Sequence, residues 1–265
     1  MRLTVVGCSG SVPGPSSAAS CYLLEADGVG PDGAPRTWRV LLDLGSGALG
    51  SLQQYVDPMS VDAVLLSHLH ADHCLDLCGL YVMLRHSPVG VQPRPRIPVW
   101  GPSGTAARLA GAYDLPTDPG MSAELDVQAW SDGEPVRIGP LAVTPLLVNH
   151  PVEAYGMRIE HDGSVLAYTG DTDACDALKP LCHSADLVLA DAAFVDGRDE
   201  VEGIHLSGRR AAQAALDAGG VGRLVLTHLP PWNDPQVCLA QAREVWDGPL
   251  EVATPGATYV VGGAV

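Results

Sequence analysis

Directly behind the apolar run Ala63-Val64-Leu65-Leu66 the chain reads Ser67-His68-Leu69-His70-Ala71-Asp72-His73, three imidazoles and a carboxylate within six residues. A run of that composition reads as a buried strand, and polar side chains concentrated at its end need partners there. Imidazole nitrogen and carboxylate oxygen suit zinc and other borderline divalent cations. Alternate residues leaving a strand end can point at one ion while the next turn addresses another. An incidental polar loop is the bland alternative; so many ligand-type side chains in so short a span weigh against it.

The surrounding chain supplies the frame. Short β-type runs recur at Leu3–Val6, Cys21–Glu25, Trp38–Asp43, Ala63–Ser67, Ile97–Trp100, Leu141–Val148, Tyr155–Glu160, Val165–Tyr168, Leu187–Ala190, Leu224–Thr227, Glu251–Ala253 and Thr258–Val261. Helical segments fit near Ala48–Tyr55, Leu75–Arg85, Ser103–Tyr113, Ser207–Ala218 and Pro235–Trp246, each with Gly, Pro or a capping residue close to an end. This mixture predicts sheets covered by helices. The turn-rich stretches Asp27–Pro35 and Ser87–Pro98 read as loops too short to link domains, and no repeat of solenoid period occurs, so residues 1–265 are expected to form one domain.

With 265 residues and 46% hydrophobic side chains, the chain is long and apolar enough to bury a real core. Its net charge of −16 repels polyanions at long range, and its cations form no stripe: Lys179 is the only lysine, and Arg94, Arg96 and Arg209-Arg210 are the nearest things to clusters. A nucleic-acid polymer is therefore disfavoured as a partner, whereas a small anionic substrate stays compatible, because divalent cations dominate the potential near them. The seven cysteines are scattered, without paired spacing, and read as reduced, mostly buried residues. The amino terminus enters a strand-like run with no signal peptide, and no apolar segment approaches membrane-spanning length, so the expected location is the cytoplasm, away from membranes.

Three more polar motifs sit just past predicted strands: Asn149-His150-Pro151, Thr169-Gly170-Asp171-Thr172 and Thr227-His228-Leu229. Together with the H-x-H-x-D-H stretch, and in this order, they resemble the signature of the metallo-β-lactamase superfamily. The resemblance spans Gly7 to His228 and implies an α/β fold, the four-layer αββα sandwich. It also implies a hydrolase with two divalent metal ions, zinc foremost, with manganese or iron equally suited to His/Asp ligation. By resemblance His68, His70 and His150 hold one ion, Asp72, His73 and His228 the other, and Asp171 bridges them. Relatives are frequently dimers, which implies a possible homodimer.

Further segments resemble the ribonuclease Z branch. Gly7-Cys8-Ser9-Gly10-Ser11-Val12-Pro13 looks like its first loop and Leu41-Leu42-Asp43-Leu44-Gly45-Ser46-Gly47 like its D-x-G turn, a plain glycine turn being the alternative for each. Asp43 would then orient a metal-binding histidine through a hydrogen bond. Asp191-Ala192-Ala193-Phe194 and Gly203-Ile204-His205-Leu206-Ser207-Gly208 resemble segments that carry a Glu and a His in that branch; here the acid is the shorter Asp191. His205 would protonate a leaving oxygen, Asp72 would orient the attacking hydroxide, and Ser207 would either hold a phosphate oxygen or simply cap a helix. Trp232 would stack on a base or wall the pocket, or merely ride a proline-fixed surface loop. His86, His161 and His183 fall outside these motifs and read as ordinary residues.

The ligand set defines a reaction style more firmly than the bond broken. The His205 segment favours phosphodiester cleavage, and the short interval from His150 to Asp171 leaves no room for the tRNA-gripping arm of ribonuclease Z. The whole chain looks most like the ribonuclease Z-like cyclic-nucleotide phosphodiesterases of actinobacteria, which implies hydrolysis of cyclic AMP or a similar small phosphodiester. The competing readings are tRNA 3′-processing, a lactonase or other ester hydrolase, and a non-catalytic metal-stabilised binding module.

Overall fold

Residues 1–88 and 95–262 are described by a computed structural model. In chain order they form β1 Arg2–Ser9, β2 Ala18–Ala19, β3 Cys21–Val29, β4 Pro35–Leu42, α1 Ala48–Leu52, β5 Ala63–Leu65, α2 Ala71–Cys74, α3 Leu77–His86, β6 Ile97–Gly101 and α4 Thr105–Ala112. The remainder runs β7 Leu125–Ala129, β8 Val136–Ile138, β9 Leu141–Leu147, β10 Tyr155–His161, β11 Ser164–Tyr168, α5 Leu178–Cys182, β12 Leu187–Asp191, α6 Gly208–Asp217, β13 Leu224–Thr227, α7 Pro235–Arg243, β14 Leu250–Val252 and β15 Thr258–Val260.

The strands assemble into two sheets, ordered β15-β1-β3-β4-β5-β6-β7, with β2 beside β1, and β14-β13-β12-β11-β10-β9-β8. Neighbouring residues on a strand face opposite ways, and the sequence uses this on both sheets. Leu24, Leu42 and Leu65 of the first sheet meet Val143, Ile159, Leu166 and Leu189 of the second in a central core. Their chain neighbours Leu23, Leu41 and Val64 face outward onto Leu52, Leu77, Leu80 and Leu109 of α1, α3 and α4. On the far side, Val188, Leu224 and Leu226 pack under Leu181, Ala211, Ala212, Ala215 and Ala242 of α5, α6 and α7. The layers run helix, sheet, sheet, helix, the α/β architecture expected.

Both sheets are mixed. The pairs β4–β5, β5–β6 and β6–β7 are parallel, as are β11–β12, β12–β13 and β13–β14. Parallel strands send all their carboxyl ends to one edge, where loops gather and ligands bind. The carboxyl ends of β5, β11, β12 and β13 and the segments directly past them carry His68–His73, Asp171, Asp191 and His228.

Local differences from the sequence reading have local causes. The loop expected over Asp27–Pro35 is shorter: β3 and β4 pair as far as Gly28↔Arg36 and Val29↔Pro35, which leaves residues 30–34 as the turn between them. Strands β7 and β8 and helices α2 and α5 are only three to five residues long, too short to show a period. Helix α1 stops at Leu52 and α7 at Arg243, short of Tyr55 and Trp246. Within Ser87–Pro98, residues 89–94, and so Arg94, lie outside the described residues. Among the described residues no helix is long and apolar enough to cross a membrane, and all seven cysteines are free thiols.

Candidate metal centre

Two close approaches fix the loops that carry the polar cluster. A Cβ on Gly45 would lie 1.8 Å from the Asp72 carbonyl oxygen, and one on Gly10 would lie 2.1 Å from that of His228, so each loop docks on the cluster where only glycine fits. Past β5 the chain turns, with His70 extended at the start of α2, which sets Asp72 and His73 on that helix's single turn.

The donor atoms form three groups, within each of which they lie inside 4.8 Å of one another: His68, His70 and His150; Asp72, His73, Asp171 and His228; and, sharing two members with the second, Asp171, Asp191, His205 and His228. In the first, His70 Nδ1 faces His68 Nε2 at 3.0 Å and His150 Nε2 at 3.2 Å. In the second, His228 Nε2 lies 3.2 Å from His73 Nε2 and 3.1 Å from Asp72 Oδ2. Asp171 stands between the first group and the rest of the second, with Oδ1 3.3 Å from His73 Nε2 and Oδ2 3.4 Å from His228 Nε2 and 3.6 Å from His68 Nε2. The second group is buried, whereas His70 and His150 reach solvent, so the first group is the solvent-facing side of the cluster.

This donor set fits cations. Asp171 Oδ1 is buried with no hydrogen-bond partner, and an unpaired buried carboxylate oxygen is costly unless positive charge sits beside it. Burial holds His68, His70 and His150 below the ordinary imidazole range, which keeps their lone pairs available. Burial opposes ionisation of Asp171 and Asp72, yet His228 and His73 hold both well below the usual carboxylate range, with His68 also acting on Asp171. Burial likewise opposes charge on His73 and His228, but Asp171 and neighbouring carboxylates overcome it, pushing His228 up to about 10. The pocket thus calls for positive charge, which cations held by neutral imidazoles supply in place of protons.

Orientation comes from behind. Asp43, fully buried, accepts from the Ser67 N–H at 2.7 Å, Ser67 Oγ at 2.8 Å, Tyr168 Oη at 2.6 Å and His73 Nδ1 at 2.7 Å, which leaves His73 Nε2 to face the cluster. His150 Nδ1 donates to the Ile204 carbonyl at 2.9 Å with the same effect. Asp191 closes β12 so that its short side chain reaches His205: Oδ2 lies 2.8 Å from His205 Nδ1 and Oδ1 3.5 Å from His228 Nδ1. Burial would lower His205, but Asp191 more than offsets it and the ring titrates above its usual range.

The sequence-predicted residues divide clearly. His68, His70, Asp72, His73, His150, Asp171 and His228 converge, with Asp43, Asp191 and His205 around them. Ser207 does not offer its hydroxyl to a phosphate: it is fully buried, accepts from the Arg210 N–H at 3.2 Å and caps α6, so the capping reading replaces the substrate one. Trp232 stands 63% exposed on the loop after His228. His161 and His183 bond the Asp27 and Ala218 carbonyls, away from the cluster. Sequence reasoning missed Tyr168, Ser67 and Asp173; a tyrosine ending a buried strand just before Thr169-Gly170-Asp171 was the available signal for the first.

Comparison with known proteins agrees with this geometry. A family model described as "Beta-lactamase superfamily domain" matches residues 38–229. The chain belongs to the metallo-β-lactamase superfamily and is a hydrolase of that family. An uncharacterized protein of Mycobacterium leprae is 45% identical over 98% of this chain and 88% of its own length. A ribonuclease Z of Mycobacterium bovis is 30% identical, covering 87% of this chain and 86% of the relative. The probable metallo-hydrolase YhfI of Bacillus subtilis is 28% identical over 97% of this chain and 98% of that protein, and its crystal structure superposes with a TM-score of 0.81 over 98% and 99% of the two chains. The match to a ribonuclease Z is consistent with the ribonuclease Z-like branch expected from the motifs.

Proposed function

We propose that the chain is a phosphodiesterase with two divalent ions, zinc foremost, that hydrolyses a small phosphodiester, a cyclic nucleotide such as cyclic AMP above all. The observation that carries this reading is the Asp191–His205 pair beside the donor cluster: the His205 ring lies 5.6 Å from that of His150 and 5.2 Å from that of His228. A bound cation pair supplies acidity to water and neutralises charge growing on phosphate. The rest falls to side chains. With Nδ1 engaged by Asp191, His205 keeps Nε2 as its proton-carrying atom, and although burial opposes charge on the ring, Asp191 shifts its pKa upward and so favours the protonated form. Asp72 orients the attacking water by accepting a hydrogen bond from it; the water loses its other proton to solvent as its oxygen bonds to phosphorus and the ester P–O bond breaks. The departing oxygen takes the His205 proton, and Asp191 stabilises the imidazolium before transfer.

Small size of the substrate is supported by the net charge of −16 and by the hairpin between His150 and Asp171, where β10 and β11 pair through His161↔Ser164 with only Asp162-Gly163 between. Exposed Trp232 offers a face on which a base can stack. Kinship to ribonuclease Z keeps tRNA processing as the second reading. The test ranks kcat/KM of the metal-loaded protein on cyclic nucleotides, dinucleotides, precursor tRNA and lactones. Cyclic nucleotides are expected to rank first, and His205→Ala should reduce kcat on them by about 10²–10⁴-fold with metal content retained. Preferential tRNA cleavage, or unchanged turnover in His205→Ala, would overturn the assignment.

A further inference from the structure

Asp173 is buried two residues beyond Asp171, belongs to none of the donor groups, and nevertheless joins four segments of the site. Its N–H donates to the Asn149 carbonyl at 2.8 Å, which ties the loop of His150 to that of Asp171. Its Oδ2 accepts from the Gly203 N–H at 2.7 Å, and its Oδ1 accepts from the Ala174 N–H at 2.7 Å and from Arg210 Nη1 on α6. Gly203 is followed by Ile204, whose carbonyl holds His150 Nδ1, and then by His205. Any displacement of Gly203 therefore moves the anchor of a metal-binding imidazole and the proton donor together.

An exposed ion pair fixes little, because both long side chains keep their freedom. Here the carboxylate is buried and held by backbone N–H groups on two loops, so the arginine tightens a node whose position is already defined. We propose that Asp173, clamped by Arg210, is a positioning residue that sets the Ile204 carbonyl and the His205 ring at once, coupling metal retention by His150 to proton delivery by His205.

The test compares Asp173→Asn, Arg210→Met and Arg210→Lys, with Arg209→Met on the same helix as control, since among the described residues Arg209 forms ion pairs with Asp196 and Glu244 and none with Asp173. The first readout is zinc affinity by chelator competition. Asp173→Asn should weaken one of two ions by about 10- to 100-fold, the range seen when an orienting partner of a ligand is lost. The second, which rests on the phosphodiesterase reading, is leaving-group dependence at saturating zinc: the loss of kcat/KM on diphenyl phosphate should exceed that on bis(p-nitrophenyl) phosphate by about tenfold or more, since nitrophenolate departs without a proton. Arg210→Met should follow Asp173→Asn, Arg210→Lys should recover most of both effects, and Arg209→Met should match wild type. Wild-type zinc affinity in Asp173→Asn, or equal losses on the two esters, overturns the proposal. If wild-type protein hydrolyses neither ester, the phosphodiesterase reading fails separately and the zinc measurement alone decides the role of Asp173.

Discussion

Replacing Asp43 by Asn tests how the buried frame controls the metal centre. Asp43 adopts a left-handed backbone with φ of 59°, which Asn tolerates as well as Asp, and the two side chains share one shape, so strain and packing stay constant. Only acceptor capacity changes. The carboxylate takes four hydrogen bonds, three of them on Oδ2, from Ser67 Oγ, His73 Nδ1 and Tyr168 Oη. An amide nitrogen at that position meets donors. The two hydroxyls can rotate, Ser67 Oγ having His68 Nδ1 at 3.1 Å as another partner, but an imidazole N–H cannot. His73 must then exchange a 2.7 Å bond to a carboxylate for the Ser67 hydroxyl 3.4 Å away, at about 1–3 kcal/mol, or move its proton to Nε2 and lose the lone pair that faces His228 and Asp171. Unfolding entropy of about 2.1 cal/mol/K per residue over 265 residues converts the first outcome into a Tm fall of roughly 2–5 °C. The second weakens metal binding by about 10- to 100-fold, or about 1.4–2.8 kcal/mol. Differential scanning calorimetry and chelator competition read the two directly. An Asp43→Asn protein with wild-type Tm and wild-type metal affinity would refute the reasoning.

Gly45→Ala should expel the Asp72 backbone from its place, costing about 1–3 kcal/mol and lowering metal affinity, since the new Cβ meets a carbonyl oxygen at 1.8 Å; a metal titration indistinguishable from wild type contradicts this. Ile159→Ala, in the central core and remote from the site, should cost about 2–5 kcal/mol in denaturant unfolding while leaving metal affinity unchanged. Because His73 and His228 are held above the ordinary imidazole range, metal binding should release protons near neutrality and tighten as pH rises from 6 to 8; calorimetry in buffers of different ionisation enthalpy would show no proton release if this is wrong.

The sequence exposed the ligands because they are consecutive or lie directly past buried strands, so one-dimensional spacing carries their geometry. Asp43 is legible for the same reason, as the residue directly past β4. Tyr168 and Asp173 are not, since each matters through a partner far along the chain: Tyr168 reaches back to Asp43, and Asp173 joins the loops of residues 149 and 203 to α6. Ser207 shows the limit of local reasoning, because a capping serine and a phosphate-binding serine share one sequence signature and differ only in burial. Among the elements, α2 aims Asp72 and His73 on a single turn, too short for an apolar period, and β7 takes its place from parallel pairing with β6 rather than from its own pattern.

The most direct measurement is anomalous scattering from crystals of the metal-loaded protein, with metal content counted in wild type and Asp171→Ala. Two ions are expected, roughly 3.5–4 Å apart, one on His68, His70 and His150 and the other on Asp72, His73 and His228, with Asp171 touching both and its replacement costing metal and activity together. A single ion, a His150 or His228 ring turned away from it, or a fully active Asp171→Ala protein would contradict the account.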